Sequence, residues 1–335
     1  MNGECNRRQF LKGASALGAA SLFGVGDVAY ADPPAEVKRI RLAKSSLCIA
    51  PQYVAEPLFR MEGFSEVQYL HDDPREIGTS KLVAEGKADI QLSFGLTTLL
   101  RVEAGEPVVM LGGVHVGCYE LFGSERIHSI RELRGRRVAV PGLGSSHHLF
   151  LSIIASYVGL DPQRDISWVT STPEQCMQWL AEGRVDAYLG FPPDPQALRA
   201  AGVGNVLLNS STDKPWSQYL CCMVNANRTF IQRYPVATKR ALRALLKATD
   251  LCATEPERSA QFMFDRGFAQ NYEYALQALK DVQYTSWRSY SAEDSVRFFA
   301  LRLHDVAMVR STPDALIANG TDWRFLDELK KELKA

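Results

Sequence analysis

The chain has 335 residues, with 38 basic and 38 acidic side chains. Zero net charge excludes partners held mainly by charge, so neither nucleic acid nor an anionic membrane surface is indicated. A hydrophobic content of 46% supports a sizeable core, and the length fits two domains or one large α/β unit.

Residues 1–31 read as a targeting segment. Arg7-Arg8-Gln9-Phe10-Leu11-Lys12 is a twin-arginine sequence, Gly13 to Gly26 is weakly apolar, and Ala29-Tyr30-Ala31 is a small-x-small cleavage site. The apolar run is too short, and too rich in Gly, Ala and Ser, for a stable membrane span. Export to the periplasm through the twin-arginine translocase is expected, with cleavage near Ala31. Removal takes away Arg7, Arg8 and Lys12 against Glu4 and Asp27, so the mature chain carries one acidic group in excess. No lipobox cysteine follows, and a soluble monomer is expected.

Cys5 leaves with the signal. Cys48, Cys118, Cys176, Cys221, Cys222 and Cys252 remain. They show no Cys-x-x-Cys and no zinc spacing, so neither metal nor cofactor is expected, and buried small hydrophobes are the ordinary reading. Export permits disulfides. Folding in the reducing cytoplasm before twin-arginine export argues against obligatory ones.

After a Pro-rich linker, 32–35, a strand is predicted at 37–43. A polar Ser45-Ser46 loop follows, then a helix opened by Pro51 and running to Glu62. Strands at 67–70, 89–92 and 107–111 alternate with helices at 74–85 and 96–104. That alternation predicts a parallel, doubly wound sheet. Residues 112–122 are extended and read as a crossing to a second lobe. There the pattern repeats, with strands at 138–140, 166–169, 187–189 and 206–208 and helices at 145–159 and 173–182 and from Asp194. A second extended run, 218–224, crosses back. From Asn227 the chain is almost wholly helical, in segments 228–233, 235–253, 256–266, 271–281, 292–307 and 323–334, expected to pack on the first lobe. The fold class is therefore α/β, with two lobes and two crossing strands. Lobe one is expected over 36–117 and 223–335, and lobe two over 118–222.

Ligands of open α/β sheets bind at the carboxyl ends of strands. Four polar or glycine-bearing corners lie at such ends: Ser45-Ser46, Ser93-Phe94-Gly95, Gly142-Leu143-Gly144-Ser145-Ser146 and Gly190-Phe191-Pro192. The third is a strand, a glycine turn and a helix N-terminus capped by serine, a natural seat for an anionic or polar group. It is neither a Walker A loop nor a dinucleotide fingerprint. Aromatic side chains are abundant nearby: Tyr53, Phe94, Tyr119, Phe191 and Trp216. With no arginine at a corner, the expected ligand has an apolar or aromatic body and one anionic or polar end. The candidate ligand-binding residues are Ser45, Ser46, Gln52, Tyr53, Ser93, Phe94, Tyr119, Gly144, Ser145, Ser146, His147, Phe191 and Trp216.

The segments Ala50-Pro-Gln-Tyr-Val-Ala-Glu, Gly86-Lys-Ala-Asp-Ile-Gln-Leu-Ser-Phe, Leu133-Arg-Gly-Arg-Arg-Val-Ala-Val-Pro-Gly, Gly144-Ser-Ser-His-His-Leu-Phe-Leu and Glu182-Gly-Arg-Val-Asp-Ala-Tyr-Leu-Gly carry a resemblance. Over roughly residues 38–260 the chain resembles periplasmic solute-binding proteins of ABC transporters, in the group of nitrate, taurine, alkanesulfonate and thiamine-pyrimidine-precursor binders. The resemblance implies a type II two-lobe fold, a small ligand in an inter-lobe cleft that closes by a hinge, and a permease with its ATPase as partners. It also implies pocket positions at Ser46, Phe94, Ser145, Ser146 and Phe191.

Other readings stay open. His147 and His148 point about 100° apart on a helix, so at most one faces the cleft. His115, Cys118, Cys221 and Cys222 lie on the crossings, where a Cys118 disulfide to Cys221 or Cys222 stands beside buried thiols. A ligand sensor for a membrane receptor fits the same sequence. The thiamine pyrimidine synthases share the fold, but their Cys-rich iron motif after the glycine-rich loop has no equivalent here. No catalytic triad, metal quartet or carboxylate pair stands out, and the chain is expected not to be an enzyme.

Overall fold

The structure, a computed structural model, describes residues 32–71 and 79–334. The signal segment and the first part of the helix expected at 74–85 lie outside these. Ten strands build two five-stranded sheets. In sequence order they are β1 Arg39–Lys44, β2 Glu66–His71, β3 Ile90–Phe94, β4 Val108–Val116, β5 Glu120–Gly123, β6 Arg136–Val140, β7 Ile166–Thr170, β8 Ala187–Gly190, β9 Asn205–Asn209 and β10 Leu220–Asn227. The sheet orders are β2-β1-β3-β10-β4 and β7-β6-β8-β5-β9.

Each sheet departs from the all-parallel expectation by one strand. β10 runs antiparallel between β3 and β4, and β5 antiparallel between β8 and β9. The reason is the crossings. A chain that leaves the first sheet at the carboxyl end of β4 enters the second sheet from its carboxyl end, so it must run against its new neighbours. β10 does the same on the way back. Both sheets therefore turn the carboxyl ends of their parallel strands towards the crossings.

Short segments behave as their patterns dictate. β1 alternates buried Ile40 and Leu42 with more exposed Arg39 and Arg41. β4 is buried throughout although it ends its sheet. Tyr284–Arg288 packs against it, and Met110 and Val116 bridge to Thr321 and Gln283. Gln52, buried among apolar neighbours, ties β1 to β3: its Nε2 donates to the Ala43 carbonyl at 2.7 Å, and the Leu92 N–H donates to its Oε1 at 2.8 Å. The helix expected from Pro51 to Glu62 is two short ones, Ala50–Val54 and Glu56–Met61, because Pro57 opens a new first turn. One helix was not expected, Pro313–Gly320.

The C-terminal helices do not confine themselves to the first sheet. Phe299, from the helix Ala292–Asp305, meets Phe94 of β3 and Phe150 of the helix Ser146–Tyr157, with ring centroids 5.3 and 6.4 Å away. Asp281, ending the helix Tyr272–Asp281, accepts from Gln196 Nε2 at 2.9 Å and pairs with Arg199, both on the helix Asp194–Ala201. Residues 34–335 accordingly form one compact unit, with the two sheets drawn together.

That same helix holds a buried acid. Asp194 accepts a hydrogen bond from the Tyr188 hydroxyl. Burial raises its carboxyl to about 7, against the lowering effect of that bond. Between about pH 4 and 7 the native state keeps a proton that the unfolded chain has lost. Stability from this group is thus greatest in acid and falls as the pH rises through that window. Relative to Asp194→Asn, the wild type is expected to lose on the order of 4 kcal/mol between pH 4 and pH 8. Urea unfolding of both proteins across that range measures it, and parallel pH profiles would refute the assignment.

Candidate functional site

Three corners of the first sheet's side meet two of the second's at the crossings. Ser45, Ser46, Cys48 and Ile49 follow β1. Ser93 and Phe94 end β3, and Cys222 lies in β10. From the other side come Cys118, Tyr119 and Phe191. Together they enclose a cavity of about 10 Å³. That is room for about one water molecule. The cleft is shut: the Leu47 N–H donates to the Pro192 carbonyl at 3.4 Å, directly from one side to the other. Phe94, Tyr119, Phe150 and Phe191 seal it with tilted and edge-on ring contacts of 5.1–5.5 Å.

Six of the expected residues, Ser45, Ser46, Ser93, Phe94, Tyr119 and Phe191, line this cavity. The serine turn stands just behind it. Ser145 is the N-cap of the helix Ser146–Tyr157 and accepts from the His148 N–H at 3.3 Å; Gly144 before it has φ +84°. Gly144 itself is exposed and lines a separate groove with Thr97, Leu100 and Arg101. Ser146 is fully buried, with Oγ 3.4 Å from His147 Nδ1. Of the two histidines, His147 faces inward. Its ring lies 4.6 Å from Phe191 and 5.7 Å from Tyr119, and its buried Nε2 has no hydrogen-bond partner among the described residues. Burial holds its imidazole down to about 3, so it is neutral. His148 turns outward, accepting from the Gly144 N–H at 3.1 Å and meeting Trp168 edge-on.

Three expected residues are elsewhere. Gln52 is buried between β1 and β3, bonded to both at its amide, and does not line the cavity. Tyr53 braces the serine loop from behind: its hydroxyl donates to the Ser45 carbonyl and accepts from the Ser45 N–H, both at 2.9 Å, while its ring stacks on Phe268. Trp216 packs on Phe150, Tyr157 and Phe298, behind the ring that seals the cavity, and does not line it. Side-chain direction decides all three cases, and spacing in the chain does not carry it.

A feature without any sequence motif lies at the cavity floor. Cys48, His115 and Cys222 each bring one ligand atom within 4.8 Å of the others, and so do Cys118, Cys221 and Cys222; all are buried. The six described cysteines are free thiols, with Cys118 Sγ 3.7 Å from Cys221 Sγ. Burial would push the Cys221 thiol up, but hydrogen bonds from Cys118 and Cys222 hold it near 6. Burial likewise opposes charge on His115, yet the neighbouring Cys222 and Cys48 outweigh it and bring the imidazole up to about 10. Two thiols lowered by their neighbours, Cys221 and Cys222, two raised, Cys48 and Cys118, and a raised imidazole thus share one dry pocket.

Two sheets, two crossings and a cleft at the carboxyl ends define a periplasmic binding protein fold. Within it, residues 123–263 match the NMT1-like family, and residues 4–24 match the twin-arginine translocation signal sequence, which directs the chain to the periplasm. The structure is similar to the periplasmic nitrate-binding protein NrtA from Synechocystis PCC 6803, at 15% identity and TM-score 0.77 over 90% of each chain. It is also similar to the alkanesulfonate-binding protein SsuA from Xanthomonas axonopodis pv. citri bound to MOPS, at 18% identity and TM-score 0.69 over 86% of this chain and 99% of that one. In sequence it is 24% identical over 230 residues to the 4-amino-5-hydroxymethyl-2-methylpyrimidine phosphate synthase of Candida albicans, covering 63% of this chain and 66% of that protein, just under two thirds of its length. Among the described residues, no helix is long and apolar enough to cross a membrane.

Proposed function

We propose that this is the solute-binding component of an ABC importer, catching a small ligand in the cleft and presenting the closed form to a permease and its ATPase. Residues 36–117 with 223–335, and residues 118–222, serve as the two lobes, hinged at the crossings. The chain acts as a monomer. The observation that carries the reading is the cavity itself, built from strand ends of both sheets and closed by the Leu47–Pro192 hydrogen bond. An organic ligand would need the lobes to close less far than here, because the shut cavity admits no organic body.

A thermal-shift screen of the exported protein tests this. Nitrate, sulfonates, carboxylates, pyrimidines and metal ions form the library. A ligand at one hundred times its Kd adds about 2.7 kcal/mol to stability, a shift of several degrees. No stabilising ligand in any class would count against a binding role. The similarity to the synthase supports a second reading, an enzyme on the same fold; sustained release of a product from a candidate substrate would favour it.

Closure gives a further expected result. Asp281 holds Gln196 and Arg199 across the cleft. Asp281→Ala is expected to open the ligand-free protein, seen as a larger radius of gyration in X-ray scattering and faster amide exchange at 117–120. An unchanged radius would remove the latch role.

A further inference from the structure

We infer that the cleft floor is a binding site for a soft, thiophilic metal ion, with copper(I) the best fit, and that this ion is the solute the cleft closes on. The inference names the ligand class of the cleft and rests on the solute-binding reading above. Its donors are Cys48, His115, Cys118, Cys221 and Cys222.

Three observations converge. The first is how the donors come to share one point. Neighbouring residues of a strand point to opposite faces, so Cys221 and Cys222 should diverge. The β10–β4 pairing is irregular on both sides of Cys222, with Leu220 opposite Val116, Cys222 opposite His115 and Met223 opposite Gly113. Such a bulge re-aims a side chain, and here both sulfurs join one cluster. Cys118 reaches it from the other crossing with a backbone φ of +155°, a region L-residues rarely adopt, directly after Gly117 at φ +63°. Local strain of this kind persists where the surroundings enforce it.

The second is the state of His115. Its Nδ1 lies 2.9 Å from the Gly117 carbonyl, which can only accept, so Nδ1 carries the hydrogen. Nε2 is buried and has no hydrogen-bond partner among the described residues. A ligating histidine is held in this way: one ring N–H is donated to a backbone carbonyl, and the metal takes the other nitrogen, displacing its proton.

The third is size and donor type. The cavity of about 10 Å³, walled in part by Cys48, Cys118 and Cys222, suits a single ion. The cluster holds four sulfurs and one imidazole, with no carboxylate, which selects soft ions over magnesium or calcium. Metal–sulfur bonds of about 2.3 Å place sulfurs roughly 3.8–4.0 Å apart in tetrahedral or trigonal sites. Cys118 and Cys221 are already 3.7 Å apart, too far for a disulfide and right for a shared ion. The donors fall into two triads sharing Cys222. Three-coordination suits copper(I) better than zinc, which takes four ligands.

The full chain, reduced and stripped of metal without oxygen, would be titrated with copper(I) against a chromophoric chelator, with zinc(II) in a parallel arm and magnesium as the hard control. One copper ion per chain should be withheld from the chelator. X-ray absorption should show sulfur ligands at about 2.3 Å. Cys222→Ser, which touches both triads, should weaken retention a hundredfold or more, while Cys118→Ser and His115→Gln, each touching one triad, should weaken it tenfold or more. Thermal unfolding checks that each variant is folded. Cys176→Ser/Cys252→Ser, buried outside the cluster, should bind as wild type does. Retention of zinc instead of copper through the same cysteines would keep the soft-ion site and change the ion. Wild-type protein that yields both ions to the chelators overturns the inference, as does retention that Cys222→Ser leaves unchanged. If the protein binds no soft ion yet is stabilised by an organic solute, the inference fails and the solute-binding reading stands; stabilisation by neither removes both.

Discussion

Gly117→Ala is expected to cost about 3 kcal/mol or more, a large share of the roughly 5–15 kcal/mol that holds a native fold. Two effects add. At φ +63° an L-residue is disfavoured by roughly 1–2 kcal/mol. A Cβ there would also lie 2.4 Å from Ser211 Cα and Oγ and 2.5 Å from its backbone nitrogen, where no flexible side-chain end can give way. That backbone is pinned. The Cys118 and Tyr119 N–H groups donate to Ser210 Oγ at 3.1 and 2.9 Å, and the Ser210 N–H donates to the Tyr119 carbonyl at 2.9 Å. Gly135→Ala separates the two effects: φ is +72° and nothing lies within 4 Å of its added carbon. It should cost about 1 kcal/mol, the conformational part alone. Urea unfolding of the two variants measures the difference, and equal losses would show that the first crossing yields to a methyl group.

Gln52→Met is the second large effect, expected at about 3 kcal/mol. Methionine matches glutamine in length and flexibility, so volume is nearly kept. What goes is the pairing of the Leu92 N–H and the Ala43 carbonyl, both dry and each costing about 1–3 kcal/mol when left unpaired. The loss should appear in the urea midpoint, while ligand or metal affinity of the folded protein stays unchanged. Weakened binding at full stability would return Gln52 to the cleft.

Much of this protein could be read from the chain. Val138-Ala139-Val140, the glycine turn and Ser145 gave strand, turn and N-capped helix where they stand. Local propensity and capping act over a few residues, and periodicity reports them directly. The carboxyl-end rule then located the corners, and Ser45, Ser46, Ser93, Phe94, Tyr119 and Phe191 reach the cavity. Tyr53 and Trp216 sit in the right stretches but turn their rings away, because core packing fixes χ angles that no pattern encodes.

The export signal, the α/β alternation, the two crossings and the helical C-terminal part can be read along the chain, since each is written in contiguous residues. Strand direction at β5 and β10, the closure of the cleft, and the meeting of Cys48, His115, Cys118, Cys221 and Cys222 emerge from the packed fold. No spacing rule finds that cluster. Its donors lie on three separate stretches, brought together by two crossings and one bulge, and long-range packing alone sets such distances.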